Sequence, residues 1–219
     1  MIREVFSRLL DLVYPPKCVF CGKILERSGY CVCGKCEKEL HYNTNPVLSK
    51  KADGTNLCLS PLEYTDEVRE SLLRYKFGGC LHYAETYSRI VSKIVYEYSS
   101  DCDIITWVPL SRKRKRSRGY DQAQLIAEGL SNLTGLDCKR LLVKTVDNPA
   151  QSGTKSAAVR AENVKGVYAP ADTKIKGRHV LLVDDIITTG STVSECAKTL
   201  KKAGAASVTV VTVAAAVYE

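Results

Sequence analysis

Apolar and polar positions along this 219-residue chain fall into two textures, and the change comes near residue 57. Before it, Ile2, Val5, Phe6, Leu9, Leu10 and Val13 recur at a helical period, predicting a helix over 2–13 that Tyr14-Pro15-Pro16 ends. Packing onto its own domain is a simpler reading of that helix than lying on a membrane surface. From Lys17 to about Leu40 large apolar side chains are scarce and Cys, Gly and Lys abundant. Such a segment buries little and needs a staple. Residues 43–56 are polar, with Pro, Gly and Asn, and predict a linker. Beyond it, helices are expected over 67–75 (ending at Phe77-Gly78-Gly79), 82–97, 120–133 and 192–203. Strands are expected over 104–109, 141–146, 166–169, 179–183 and 207–217. Strands alternating with helices predict an α/β fold with a parallel sheet, whose ligands bind beyond the carboxyl ends of the strands. The expected units are 1–45 and 57–219.

Composition narrows the classes. Apolar residues make up 45% and charged residues 26%, which excludes wholesale disorder. No run reaches the ~18 apolar residues of a membrane span, and the N-terminus lacks an export signal, so a cytoplasmic protein is expected. Lys and Arg (32) exceed Asp and Glu (24) by 8, and six of the cations lie in Arg112–Arg118; without them the balance is +2. The basicity is local and points to one anionic partner at one place.

Ten cysteines in a reducing compartment predict metal binding rather than disulfides. Cys18-Val-Phe-Cys21 and Cys33-Gly-Lys-Cys36 form two CxxC turns eleven residues apart. Four thiolates in two knuckles complete a closed tetrahedral zinc site, structural in kind. Cys31 competes with Cys33 for one ligand place, and an iron–sulfur cluster or redox pair is the other chemistry open to this set. The singly scattered Cys58, Cys80, Cys102, Cys138 and Cys196 are read as core residues.

The strongest chemical signal is Val180-Leu-Leu-Val-Asp184-Asp185-Ile-Ile-Thr188-Thr189-Gly190-Ser191-Thr192. A buried strand ends in two acids, and a Thr/Gly/Ser loop then opens a helix with Val193, Cys196, Ala197 and Leu200 inward. A helix N-terminus with hydroxyls and a flexible Gly takes a phosphate monoester, and adjacent carboxylates accept from a sugar diol. Neither a Walker lysine pattern nor GxGxxG occurs in this stretch. A second signal is the strand-to-helix passage Trp107–Gln122, whose cationic stretch Ser111–Arg118 is read as a basic loop. A third is the polar segment 147–163 between two strand-like runs, long enough to be a lid.

The 180–192 stretch closely resembles the 5-phosphoribosyl-1-pyrophosphate (PRPP) signature of type I phosphoribosyltransferases. The resemblance implies that Asp184 and Asp185 hold the ribose hydroxyls and that Thr188, Thr189, Gly190, Ser191 and Thr192 cup the 5′-phosphate. It implies pyrophosphate contacts from Ser111, Arg112, Lys113 and Arg118, with Mg²⁺, and a flexible hood to which Gln151, Arg160 and Asn163 contribute. The order of zinc knuckles, Tyr75-Lys-Phe-Gly-Gly79, 108–127, Gln151 to Asn163 and 180–192 resembles the ComF family over nearly the whole chain. One departure is Tyr120-Asp121-Gln122, where that family often has Phe-Asn-Gln. The family resemblance implies a zinc ribbon before a type I phosphoribosyltransferase-like domain, and a role in natural transformation. It also implies contact with single-stranded DNA and with competence-machinery proteins. Two functions compete: phosphoribosyl transfer from PRPP with release of pyrophosphate, and a non-catalytic strand-binding module in which PRPP is regulatory or vestigial. Tyr14, Phe20 and Tyr30 beside the knuckles are candidates to stack bases. No nucleobase pocket is legible, so the acceptor is not named.

Overall fold

The computed structural model describes residues 15–26, 30–48, 52–147, 165–171 and 174–216. The expected helix over 2–13 and the hood residues Gln151, Arg160 and Asn163 lie outside them. A central sheet of parallel strands has the order β1 (Leu57–Leu59), β8 (Ser207–Ala215), β7 (His179–Ile187), β3 (Ile104–Trp107), β4 (Asp137–Cys138). A further short strand, β2 (Leu62–Glu63), also pairs with β8 in parallel, so β1 and β2 follow one edge of β8 in turn. The helices are α1 (Gly34–Glu39), α2 (Asp66–Phe77), α3 (Tyr83–Tyr98), α4 (Arg112–Arg118), α5 (Gln122–Thr134) and α6 (Ser191–Lys202).

Both faces of the sheet are covered. Leu181 and Val183 point into one apolar layer with Leu72, Tyr75, Tyr87, Ile90 and Ile126 of α2, α3 and α5. Val180 and Leu182 point into the other with Val193, Cys196 and Leu200 of α6. A strand buried on both faces reads as a near-continuous apolar run, and β8 is buried at all nine positions with only Ser207, Thr209 and Thr212 polar among them. Cys58, Cys102 and Cys196 are core residues as expected, while Cys80 and Cys138 are half-buried.

Three expectations are corrected. The cationic stretch 112–118 is helix α4, not a loop: Ser111 Oγ accepts from Arg114 N at 3.3 Å, and Gly119 closes the turn at φ 82°. The strand carrying the two acids does not stop at 183. The neighbouring β8 keeps it in register through Ile187↔Ala215, so Asp184 and Asp185 lie within β7. The strand-like runs 141–146 and 166–169 do not enter the parallel sheet. Their cores, β5 (Leu142–Lys144) and β6 (Tyr168–Pro170), pair antiparallel as a separate two-stranded ribbon.

Candidate functional site

Strand β7 leads through α6 to β8 on one side, while β3 leads through α4 and α5 to β4 on the other. The chain therefore reverses its winding between β7 and β3, where an open α/β sheet leaves a crevice beyond its strand ends. A cleft of about 400 Å³ lies there, lined by Asp184, Asp185, Thr188 to Val193, Arg114, Arg118, Lys76, Lys144 and Asp121 among others.

The two acids divide the sheet between them. Successive strand residues face opposite ways. Asp184 faces Tyr168, Lys144 and Cys196, and Asp185 faces α2, its Oδ2 2.9 Å from Lys76 Nζ. Burial, and then the Asp185 charge, pushes the Asp184 carboxyl well above the usual carboxylate range. After β7 the loop turns at Gly190, φ 75°, and α6 begins with no side chain capping it. Its first amides are thus left for another acceptor, and the helix dipole there favours an anion. Thr189 Oγ1 and Ser191 Oγ are 3.0 Å apart, and Ser194 Oγ donates back to Gly190 O at 2.8 Å. The expected acids and loop residues all come together.

The cations are sorted by helix geometry. Arg114 and Arg118, four apart and on one face of α4, reach this cleft. Ser111, Arg112 and Lys113 do not; with Arg140, Lys144 and Asp147 they line a second cavity of about 660 Å³. Arg118 Nη1 donates to Gln122 Oε1 at 2.8 Å, and its guanidinium lies 4.8 Å from the Phe77 ring centroid. Asp121 is buried and caps α5, accepting from Leu110 N at 2.9 Å and Gln124 N at 3.4 Å; burial raises its pKa.

Lys76, Lys144 and Asp121 were given no role by sequence reasoning, and Arg114 only that of one cation in the 111–118 stretch. Lys76 and Asp121 stand inside stretches that carried the family resemblance, which is the signal that points to them. Lys144 sits in an ordinary strand-like run, and nothing in the sequence marks it. Burial lowers its pKa, and its Nζ is 5.4 Å from the Tyr168 ring centroid.

The cysteine set is a second centre. The sulfurs of Cys18, Cys21, Cys33 and Cys36 lie within 4.8 Å of one another, and Cys21 and Cys33 are 3.6 Å apart. Tetrahedral zinc at about 2.3 Å from each sulfur requires sulfurs roughly 3.8 Å apart, so this donor set fits that ion. Cys31 is buried outside the cluster, and its amide donates to Thr86 Oγ1 at 3.1 Å. The first knuckle turns at Gly22, φ 76°, and the second opens α1. The Cys36 amide donates to Cys33 Sγ at 3.4 Å, bringing the Cys33 thiol down to about 7. Phe20 is not available to stack a base: it is 4% exposed and packs edge-on to Tyr87 at 6.5 Å. Tyr30 is half-buried, with its hydroxyl donating to Glu37 at 2.7 Å; Tyr14 lies outside the described residues.

Residues 116–217 match the phosphoribosyl transferase domain, and residues 9–59 match the double zinc ribbon domain. Competence protein F of Haemophilus influenzae is 29% identical over 197 residues, covering 85% of this chain and 85% of that protein. Competence protein ComFC of Bacillus subtilis is 28% identical over 193 residues, 86% of this chain and 73% of that one. DNA utilization protein YhgH of Escherichia coli O157:H7 is 28% identical over 196 residues, 88% and 81% respectively. No helix among the described residues is long and apolar enough to cross a membrane.

Proposed function

Because the chain belongs to the ComF family, joining a zinc ribbon to a phosphoribosyl transferase domain, we propose that it binds PRPP in the cleft beyond β7 and β3 and transfers its phosphoribosyl group to a nitrogen nucleophile, the bond to nitrogen forming as pyrophosphate leaves. The observation that carries this reading is convergence. Two acids, a Thr/Gly/Ser loop, an uncapped helix N-terminus and two guanidinium groups meet in one cleft.

In this reading Asp184 and Asp185 accept hydrogen bonds from the ribose diol. Thr188, Thr189, Gly190, Ser191 and Thr192, with the first amides of α6, take the 5′-phosphate. Arg114 and Arg118 meet the pyrophosphate from the α4 side, where cationic donors stabilise the departing charge more than the bound ground state. The pyrophosphate arrives with Mg²⁺, which supplies further neutralisation of the leaving group. Ser111, Arg112 and Lys113 act from the neighbouring cavity, and Gln151, Arg160 and Asn163 from the hood.

Cys18, Cys21, Cys33 and Cys36 hold a structural zinc. The setting we propose is the cytoplasm, in the handling of DNA that the relatives' names describe. Single-stranded DNA lies along the exposed cations of α4, and competence-machinery proteins are partners. The units 1–45 and 57–219 are the working division of the chain.

Titration calorimetry with Mg²⁺-PRPP tests the site, and pyrophosphate release against a panel of nucleobases tests the reaction. Each charge-assisted hydrogen bond is worth roughly 1.5–3 kcal/mol, so Asp184→Asn/Asp185→Asn should weaken PRPP by about a hundred-fold to ten-thousand-fold. Undiminished affinity in that double variant would falsify the sugar site.

A further inference from the structure

Helix α2 touches both chemical centres within one turn. Arg74 Nη2 donates to Val19 O at 2.9 Å and Phe20 O at 2.5 Å, the two residues between Cys18 and Cys21. Ser71 Oγ donates to the same Val19 carbonyl at 2.5 Å. Two residues beyond Arg74, Lys76 Nζ sits 2.9 Å from Asp185 Oδ2, with side chains 20% and 11% exposed. Between them Tyr75 is fully buried; its hydroxyl donates to Gln122 O at 2.9 Å, and its carbonyl accepts from the Tyr120 hydroxyl.

A helix rises only 1.5 Å per residue, so residues 74 and 76 move as one piece. Arg74 Nε also donates to Tyr83 Oη at 3.4 Å, which fixes the guanidinium against α3. At the other end a largely buried ion pair is expensive to break, because removing one partner leaves the other charge uncompensated. Asp185 has Asp184 beside it in the strand and Asp121 lining the same cleft. Lys76 is the ammonium that pairs with Asp185 and holds its side chain aimed among them.

We propose that Lys76 is a positioning residue for the sugar site and that Arg74 ties its setting to the first cysteine knuckle. This rests on the reading of Asp184 and Asp185 as sugar ligands. The coupling is reciprocal by thermodynamic necessity: if the knuckle steadies the sugar site, PRPP must steady the knuckle.

The full-length zinc-loaded protein serves for both arms of the test. In calorimetry with Mg²⁺-PRPP, Lys76→Met is expected to bind at least ten-fold more weakly, with Lys76→Arg recovering most of the loss. In the second arm a chromogenic chelator extracts zinc with and without saturating PRPP. PRPP is expected to slow release several-fold in wild type, and Arg74→Met, first shown to hold one zinc, to lose that protection. Should Arg74→Met not fold, Arg74→Lys is expected to lose part of the protection, and protection equal to wild type overturns the coupling. Wild type that fails to bind PRPP brings down the sugar-site reading and this inference together. Wild type that binds PRPP while Lys76→Met binds equally well or more tightly overturns the positioning role alone. PRPP binding with no change in zinc release overturns the link to the knuckle.

Discussion

The backbone amide of Asp185 donates to Asp184 Oδ1 at 2.8 Å, so the first carboxylate of the pair is held by the peptide of the second. The two side chains nonetheless belong to different layers, one beside Tyr168 and Cys196, the other beside Lys76. Lys76 pairs with Asp185 and offsets part of the cost at Asp184, where desolvation and the Asp185 charge dominate.

That cost has a pH signature. The unfolded carboxyl titrates near its ordinary value of about 3.9, and the folded one is raised by burial and by Asp185. Below about pH 4 both states are protonated and the cost is absent; it grows as pH rises from there to the folded value and stays constant above it. Asp184→Asn should therefore melt higher than wild type at pH 7, with the gap closing toward pH 4. For a protein of this size 1 kcal/mol shows as about 2–4 °C in Tm. The same variant should lose PRPP affinity. Equal melting temperatures at pH 7 reject the assignment.

Zinc is expected at one per chain by elemental analysis, and absent from Cys18→Ser/Cys36→Ser. Cys18, Val19, Phe20 and Cys33 share one apolar core with Tyr75 and Tyr87. Chelation should accordingly lower the main thermal transition rather than melt the ribbon by itself. A separate low-temperature transition with the main one unmoved contradicts this.

The cations of α4 should separate by face. Arg118→Ala is expected to weaken PRPP binding strongly, because Arg118 lines the main cleft, while Arg112→Ala/Lys113→Ala, acting from the neighbouring cavity, should weaken it less. If those two track a nucleic-acid backbone, the slope of log K against log salt for a single strand falls by about 1.4 in the double variant, at about 0.7 per phosphate. Strand binding at several salt concentrations reads it, and an unaltered slope removes the strand from this face.

Gly190 turns the 188–192 loop at φ 75°, and a Cβ there would meet the Ala52 Cβ at 3.4 Å. The left-handed backbone alone costs a side chain roughly 1–2 kcal/mol. Gly190→Ala should lower Tm by a few degrees and weaken PRPP, and thermal melts with calorimetry check both.

Much of this was legible because the signals are local. The acids and the 188–192 loop follow from one continuous strand-loop-helix stretch, and the two CxxC turns from their spacing. What escaped depends on neighbours distant in sequence. β7 runs on to Ile187 because β8 lies alongside, and Lys76 matters because a strand over a hundred residues later brings Asp185 to it. Between Cys31 and Cys33 spacing could not choose; the chain's path places Cys33 in the cluster. The short helix α4 is bracketed by Ser111 and Gly119 as caps, but its seven polar residues bury none of their side chains and carry no apolar stripe, so no periodic signal marks it.

Strand β8 has one further implication, for the order of events during synthesis. It is flanked by β1 and β2 on one edge and β7 on the other, yet it follows them all in the chain. Until residue 215 has left the ribosome, the middle of the sheet is missing and two strand edges stand open. Such pairing between distant segments closes slowly, and unpaired edges invite association with other chains. Until β8 arrives, the open edges of β1, β2 and β7 are where association with other chains would start.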